Sequence, residues 1–234
     1  MTNRFCRYEL RTTSADAAGK FYATLFGHER AIVWPLHEQA RARGAMPHWL
    51  GSIAVEDLQR LERTSDEFVK RGATVLGPAR VTREGGTAMV LKDPGGAIVG
   101  IATASACAAN VDVVWHVLNT NNLTEAAANY RTLFGWNIAR TPQESPYGHF
   151  HEFGWNDAQP NSVGAMLGIG DRPQVHPHWL FFFTVEALDT AVAFTRQAGG
   201  TATDPTTAPT GHRISICEDP QGAAFGLIAD VRGK

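Results

Sequence analysis

Two histidines flank one phenylalanine in the stretch HFH at residues 149–151, and Glu152 follows directly. Imidazole binds divalent metals and transfers protons near neutral pH. If this stretch is a strand, His149 and His151 project from the same face, because side chains alternate with a period of two. The same half of the chain also contains His176, His178 and His212. These residue types allow a metal or substrate site with an unconventional set of ligands.

The alternative is that these histidines are strand-edge residues with ordinary hydrogen bonds. Tight zinc sites place their ligands in closely spaced pairs along the chain, typically with two to five residues inside each pair. The histidines of this chain do not follow that spacing. The structural interpretation is therefore favoured over the metal site.

Two segments carry large side chains at a spacing of two residues. Side chains at this spacing share one face of a strand, so each row can line a ligand cavity. Asn119 and one of the two histidines at 149 and 151 would be the polar groups of that cavity. Packing in a hydrophobic core is the commoner reason for such aromatic rows. The rows are Trp115, Val117 and Asn119 in one segment and Trp179, Phe181 and Phe183 in the other.

Composition excludes several classes of function. The formal net charge of -2 and a pI near 6.5 supply no basic field for nucleic acid. The longest strongly apolar run, WLFFFTV at 179–185, is too short to cross a bilayer, so we expect no membrane segment. The nucleophile elbow G-x-S-x-G and the Walker phosphate loop are absent, and GIGDRP at 168–173 lacks the last glycine of a dinucleotide fingerprint.

The three cysteines predict unpaired thiols. Cys6, Cys107 and Cys217 are odd in number and far apart in the sequence. Such spacing does not suit a disulfide framework or a zinc site and is typical of a protein in a reducing compartment. We therefore expect buried or inactive thiols and a cytoplasmic location.

The chain repeats itself. MPHWLGSIAVEDL at 46–58 matches HPHWLFFFTVEAL at 176–188 in seven of thirteen positions, and FYATLFG at 21–27 matches NYRTLFG at 129–135. DPGGAIVGI at 93–101 matches DPQGAAFGL at 219–227. The sequence therefore consists of two homologous halves.

Each half is doubled in turn. In the second half, a strand precedes a helix over Leu123–Phe134, and a second strand precedes a helix over Leu188–Gln197. Gly135 ends the first of these helices. Two strands follow the second helix, joined by a type I turn at Asp219 and Pro220. The pattern of strand, helix and further strands thus occurs four times in the chain.

Four motifs resemble the vicinal-oxygen-chelate superfamily, also called the glyoxalase/bleomycin-resistance/dioxygenase fold. They are WHVLNTNNLTEAAANYRTLFGW, PHWLFFFTVEALDTAVAF, AGGTA and DPQGAAFGLI, and they are most similar to the two-domain, hydroxylase-like branch. The resemblance implies an α+β fold of four tandem βαβββ modules, the first truncated. Paired modules would form two glyoxalase-like domains, at residues 1–105 and 111–234, each with curved sheets around a cavity. A repeat of ferredoxin-like βαββαβ units is the alternative topology.

Metal-dependent members of this family bind a divalent ion through residues near the start of each module's first strand and a glutamate on a late strand. The resemblance places the glutamate position at Gly226 and Gly100, and glycine has no side-chain ligand. The first-strand position falls at Trp115, Trp179 and Trp49, and indole does not bind such ions either. The resemblance therefore implies that the usual metal site is missing.

A shift of one residue in this alignment would bring His116 or His178 to the first-strand position. The same shift would put Phe225 or Leu227 at the glutamate position, and neither side chain is a ligand. The carboxylate would still be absent.

The two halves differ in length. Gly27 to Pro47 spans 20 positions and Gly135 to Pro177 spans 42, so the first half is 22 residues shorter. That difference equals about a hairpin. We therefore expect a degenerate, structural first domain and a ligand site in the second.

The sequence predicts a glyoxalase-fold protein that binds a small, aromatic organic molecule in its second domain without a metal or other cofactor. Two alternatives stay open: a metal-dependent lyase, isomerase or dioxygenase that uses His149 and His151, and a resistance protein that sequesters a drug or metabolite. Catalysis is not decided by the residues. The expected partner is the small-molecule ligand, with no nucleic acid and no membrane, and the chain is a monomer or homodimer.

Overall fold

The computed structural model describes residues 3–27, 31–108, 111–140, 149–155, 162–170, 172–208 and 211–229. Strands alternate with a few helices, as predicted for an α+β fold. Among the helices in these ranges, none is long and apolar enough to cross a membrane.

The strands of the first half belong to one sheet. Its order is β2-β1-β3-β7-β6-β4, with β5 paired to β6. The β1/β2 and β3/β7 pairs are parallel, and the β6/β7 pair is antiparallel. The elements are β1 (Phe5–Thr12), α1 (Ala15–Phe26), β2 (Ile32–Pro35), α2 (Glu38–Ala42), β3 (His48–Val55), α3 (Leu58–Lys70), β4 (Thr74–Val75), β5 (Arg80–Val81), β6 (Thr87–Lys92) and β7 (Ile98–Thr103).

The strands of the second half belong to the other sheet, after a 3-10 turn at Ala104–Ala106. Its order is β13-β15-β16-β12-β8-β11-β10-β9, with β14 paired to β15. The elements are β8 (Val113–Thr120), α4 (Leu123–Phe134), β9 (Asn137–Arg140), β10 (Phe150–Gly154), β11 (Gly164–Gly168), β12 (His178–Val185), α5 (Leu188–Gln197), β13 (Thr201–Ala202), β14 (Thr206–Thr207), β15 (Arg213–Glu218) and β16 (Ala224–Ala229).

Local sequence signals account for these bounds. The predicted helices over Leu123–Phe134 and Leu188–Gln197 are confirmed, as is the α+β fold of repeated modules. Gly27 ends α1 and Gly135 ends α4, both with left-handed backbone (φ of 72° and 69°), which glycine adopts without a Cβ penalty. The predicted turn at Asp219 is also formed, because the Gly222 amide donates to the Asp219 carbonyl at 2.8 Å.

The predicted shortening of the first half has a structural counterpart. In the described residues, β2 and the short helix α2 lie between α1 and β3. In the second half, the three strands β9, β10 and β11 lie between α4 and β12. The missing 22 residues therefore correspond to strands of this region, as a truncated first module requires.

Two compact units divide the chain differently from its two halves. Each sheet follows one half, but each unit takes segments from both halves. The domain bounds 1–105 and 111–234 stay a prediction. Unit 1 is Met1–Arg7, Gly51–Ala109 and His116–Trp179; unit 2 is Tyr8–Leu50, Asn110–Trp115 and Leu180–Lys234.

The core of unit 1 is an aromatic cluster around Trp136, which is 1% exposed. Its indole stacks on Phe153 with ring centroids 4.6 Å apart and on Tyr130 at 5.0 Å. Trp179 and Phe5 meet edge to face at 4.9 Å in the same cluster. Offset and edge-to-face pairs add to the stability that burial of these rings already supplies.

The core of unit 2 has the same character. Phe183 is 1% exposed and packs on Trp49, with ring centroids 4.8 Å apart. Phe26 lies 5.0 Å from Phe183, and Tyr22 meets Trp49 edge to face at 5.0 Å. The Trp-Tyr combination of the repeated motifs is therefore buried in both units.

The expectation that all the cysteines are unpaired is wrong for two of them. Cys6 and Cys107 form a disulfide, with their Cα atoms 5.1 Å apart, and Cys217 is free and buried. The segment after β7 returns to the start of β1, where the Ala108 amide donates to the Cys6 carbonyl at 3.1 Å. A sequence separation of 101 residues gives no local sign of this pairing.

Candidate functional site

Strands β8, β11 and β10 of unit 1 present one common face around Asn119. Asn119 lies beside Leu167, which lies opposite Phe150, and Val117 lies beside Ala165, which lies opposite Glu152. Laterally paired residues project from the same side of a sheet. The Asn119 face is thus formed by Val117, Asn119, Phe150, Glu152, Ala165 and Leu167.

His151 projects from the opposite side of this sheet. It pairs with Met166, which pairs with Leu118, and both of these side chains are fully buried. His149 precedes β10 and is exposed. The structure therefore does not bring His149 or His151 to Asn119, because the strand register puts Phe150 and Glu152 there instead.

His178 supplies the imidazole next to Asn119. Its Nδ1 lies 2.8 Å from the His176 carbonyl, which can only accept, so Nδ1 carries the proton. Its Nε2 is then an acceptor for the Asn119 amide Nδ2 at 3.4 Å. Burial lowers the pKa of His178, and the charge on Arg172 adds to this effect. The imidazole is therefore neutral at neutral pH.

Glu152 is the acidic group of the Asn119 face. Its carboxylate accepts a hydrogen bond from the Ser162 hydroxyl at 2.5 Å, and its side chain is half-buried. Val117, Phe150 and Leu167 are also half-buried. The face therefore combines apolar side chains with an amide and a carboxylate, the mixture that small-molecule sites use.

The second predicted row takes part in core packing. Trp179 lies in the Trp136 cluster, Phe183 packs on Trp49, and the Phe181 ring meets Tyr8 edge to face at 5.2 Å. All three are at most 4% exposed. These side chains are not brought to the Asn119 face, whereas Val117 belongs to it. Trp115 is half-buried, two residues before Val117 on β8.

Trp179 has a specific polar partner in unit 1. Its Nε1 donates to the Tyr130 hydroxyl at 3.1 Å, and that hydroxyl donates to Asp93 Oδ2 at 3.0 Å. Asp93 Oδ1 accepts from the Ala97 amide at 2.8 Å. Burial raises the pKa of Asp93. We call Trp179, Tyr130 and Asp93 the unit 1 triad.

An equivalent triad of Trp49, Tyr22 and Asp219 lies in unit 2. Trp49 Nε1 donates to the Tyr22 hydroxyl at 3.0 Å, and Tyr22 donates to Asp219 Oδ2 at 3.1 Å. Burial raises the pKa of Asp219 and that of Tyr22. The repeated Trp of the PHW motif therefore forms part of a buried hydrogen-bond chain in both units.

The two glycine positions that the resemblance assigns to the family's glutamate, Gly226 and Gly100, have no room for a side chain. A Cβ at Gly226 would overlap the ring of Phe182, and a Cβ at Gly100 would overlap the hydroxyl of Ser52. Phe182 lies beside Gly226 in the β12/β16 pair, on the same side of the sheet. Neither glycine position fits a carboxylate ligand without movement of its neighbour.

His116, which a shift of one residue would bring to the first-strand position, lies in the core. It is 3% exposed, its ring stacks on Phe5 with centroids 5.0 Å apart, and its Nδ1 is 2.9 Å from the Val163 carbonyl. Burial lowers the pKa of His116 to about 4. Across the described residues, no group of three or more His, Cys, Asp or Glu side chains is arranged to hold a metal ion.

Sequence patterns alone do not predict Phe150, Glu152 and Leu167 as residues of the Asn119 face. In the HFH stretch, they favour the two histidines instead. The alternation of β10 alone identifies Phe150 and Glu152 as a pair. Only the pairing with β11 shows that this pair, and not the histidines, shares the face of Asn119.

Residues 112–227 match the family model described as the Glyoxalase/Bleomycin resistance protein/Dioxygenase superfamily. A Mycobacterium bovis protein described as "Putative glyoxylase CFP32" is 28% identical to the chain over 250 residues. The alignment covers 94% of this chain and 92% of the relative.

Solved structures share the fold. The Mn(II)-bound glyoxalase from Novosphingobium aromaticivorans superposes with a TM-score of 0.69 at 13% identity, covering 99% of this chain and 83% of that chain. The 2,3-dioxygenase LapB from Pseudomonas sp. KL28 has a TM-score of 0.67 at 13% identity, covering 97% and 92% respectively. At these identities, the likeness establishes the fold alone.

Proposed function

We propose that this chain, whose residues 112–227 match the Glyoxalase/Bleomycin resistance protein/Dioxygenase superfamily model, binds a small organic molecule at the Asn119 face without the divalent ion used by metal-dependent members. The packing of Ser52 against Gly100, in the same unit as the Asn119 face, is the observation that carries this proposal. A glutamate at residue 100 would have to displace the Ser52 side chain, which is 2% exposed. The residues present do not fit the metal, so no step of the proposed function passes through one.

The Asn119 face favours a flat ligand with one or two hydrogen-bonding groups. Val117, Leu167 and Phe150 supply apolar contact area. The Asn119 amide has a carbonyl oxygen to accept a hydrogen bond, and the Glu152 carboxylate accepts from donors. Ligand sites commonly combine apolar walls with a few such groups. An aromatic molecule that carries a hydroxyl or amino group matches this chemistry.

Binding without catalysis is the form of this proposal that the described residues support. The His178 imidazole is held by the His176 carbonyl and by Asn119, so its Nδ1 proton is already engaged. The metal-dependent alternative based on His149 and His151 gains no support, because His151 lies on the other side of the sheet. Sequestration of a drug or metabolite is consistent with binding without catalysis.

The test combines elemental analysis with binding. Untagged protein should contain far less than one equivalent of zinc, iron, manganese or nickel. Small aromatic metabolites and antibiotics are then screened by quenching of tryptophan fluorescence, with Trp115→Phe to identify the reporting residue. For the best hit, Asn119→Ala should weaken binding by about threefold to tenfold, the value of one hydrogen bond. Glu152→Gln should weaken it to a similar extent for ligands that donate a hydrogen bond.

Thr132→Ala is the matched control, because Thr132 is exposed on α4 and is not part of the Asn119 face. Unchanged affinity in both Asn119→Ala and Glu152→Gln would refute the assignment of the face. One equivalent of divalent metal that is lost in His149→Ala would refute the metal-free proposal and support a metal-dependent enzyme.

A further inference from the structure

Unit 2 contains a cavity of about 560 Å³ at the carboxyl end of β12. This volume lies within the range of roughly 300–1,000 Å³ that small-molecule sites occupy. It shares no residue with the Asn119 face, which belongs to unit 1. The cavity is lined by the end of α1 at residues 24–27, the linker residues Val111 and Asp112, residues 183–187 and three residues of α5, namely Thr190, Ala191 and Phe194.

One wall of the cavity is aromatic. Phe183 is part of the core, and the half-buried ring of Phe26 lies 5.0 Å from it. Phe194 is also half-buried and stacks on Phe21 at 5.4 Å. Ala191 adds no bulk between these rings. An aromatic or branched apolar group of a ligand would find packing partners here without displacing the core.

The lining includes a buried hydroxyl without a hydrogen-bond partner in the described part of the chain. Thr184 Oγ1 is shielded from solvent and makes no hydrogen bond to the described residues. Its backbone is engaged, since the Thr184 amide donates to the Asp112 carbonyl at 3.2 Å. Leaving a buried polar atom unsatisfied costs about 1–3 kcal/mol. Thr184 belongs to the lining, so a change of its χ1 rotamer that turns the hydroxyl to the cavity would let a donor group of a ligand remove that cost.

The rim of the cavity is acidic. Asp112 and Glu186 line it, both side chains are exposed, and neither makes an ion pair with the described residues. Two carboxylates that form no ion pair with a cation of the described residues favour a positively charged ligand group and disfavour a negative one. The charge at the rim and the unsatisfied acceptor at Thr184 therefore select the same kind of group, a protonated amine.

We infer that this cavity binds a small amphiphilic amine, with its aromatic or branched apolar part against Phe26, Phe183 and Phe194 and its ammonium group near Asp112 and Glu186. The ammonium has three N–H donors, which suffice for one carboxylate and the Thr184 hydroxyl. The inference is independent of the function proposed for the Asn119 face.

The experiment titrates three probes that share one ring and differ in charge: 2-phenylethylamine, 2-phenylethanol and phenylacetate. Binding is followed by amide chemical shifts of the full chain at neutral pH. The amine should bind most tightly, the alcohol more weakly, and the carboxylate least. The largest shifts should occur in residues 183–187 and in α5.

Two variants with matched controls locate the site. Thr190→Trp fills the cavity from an exposed position and should abolish binding of the amine, whereas Ala193→Trp, on α5 but outside the lining, should leave it unchanged. Glu186→Gln should weaken the amine about threefold, the effect of one exposed charge pair, and Glu218→Gln should not. Far-UV circular dichroism and melting temperature confirm that each variant is folded.

Equal affinity for all three probes would overturn the assignment of an amine. Binding of the amine that survives Thr190→Trp, or no binding of any probe, would overturn the site itself. The variants Asn119→Ala and Glu152→Gln should leave unchanged the amine affinity that the shifts of residues 183–187 and α5 report, so a failure here is distinguishable from a failure of the proposed function.

Discussion

Removal of the Tyr130 hydroxyl tests the unit 1 triad. In Tyr130→Phe, Trp179 Nε1 loses its acceptor and Asp93 Oδ2 loses a donor. Tyr130 is fully buried, and Trp179 and Asp93 are each 4% exposed, so water does not replace either bond. An unsatisfied buried group costs about 1–3 kcal/mol, and two groups that share one hydroxyl should together lower the free energy of unfolding by about 2–4 kcal/mol.

The loss of stability caused by Tyr130→Phe should depend on pH. Burial raises the pKa of Asp93, and the hydrogen bond from Tyr130 opposes that rise, so Tyr130→Phe raises the pKa further. A carboxyl with a raised pKa in the folded state contributes most to stability below its unfolded pKa, and the contribution is lost as the pH rises through the folded pKa. The difference in free energy of unfolding between wild type and Tyr130→Phe should therefore be largest at pH 7 and should decrease as the pH falls towards 4.

The assay is urea-induced unfolding followed by far-UV circular dichroism, because indole fluorescence changes with the triad itself. A double-mutant cycle adds Trp179→Phe: with the tryptophan donor gone, Tyr130→Phe should cost about 1 kcal/mol less. Tyr22→Phe is the matched variant in unit 2 and should behave alike. A loss below 0.5 kcal/mol at pH 7, or additive single variants, would refute the claim that the triad is a coupled buried chain.

Two further predictions concern buried groups elsewhere in the chain. Burial lowers the pKa of His116 to about 4. The contribution of the neutral imidazole to stability is therefore fully present above pH 6.5 and is lost as the pH falls through 4. Over this range, the difference in free energy of unfolding between wild type and His116→Gln, measured by urea titration, should shrink by about 3 kcal/mol. The disulfide Cys6–Cys107 spans 101 residues, so dithiothreitol should lower the free energy of unfolding by about 4–5 kcal/mol, measured by urea unfolding with and without reductant.

Matched controls make these two predictions specific. His149→Gln removes an imidazole from an exposed position and should not reproduce the pH dependence of His116→Gln. Cys107→Ser should abolish the effect of reductant, whereas Cys217→Ser, at the free buried cysteine, should retain it. A reductant effect that persists in Cys107→Ser would contradict the assignment of the disulfide.

The local elements of this protein were predictable because each depends on neighbours in the chain. The spacing of apolar residues predicted the helices over Leu123–Phe134 and Leu188–Gln197, and Gly135 predicted the end of the first helix. The Asp-Pro turns followed from their own residues. The repeat further predicted four modules and a short first module, since homologous sequences take the same fold.

The candidate site was only half predictable. Alternation along one strand correctly grouped Val117 with Asn119, since a strand's own period decides which residues share its faces. It could not decide whether His151 or Glu152 lies with Asn119, because that depends on the register between β10 and β11. A shift of one residue in register exchanges the two faces of a strand.

The sequence by itself determined that Trp, Tyr and Asp-Pro recur at equivalent places in each half. Only the tertiary structure decided that Tyr130 of the second half donates to Asp93 of the first, and that Tyr22 of the first half donates to Asp219 of the second. The physical reason is that periodicity constrains a side chain relative to its own element. The partner of a buried hydroxyl is chosen by the packing of segments that are distant along the chain.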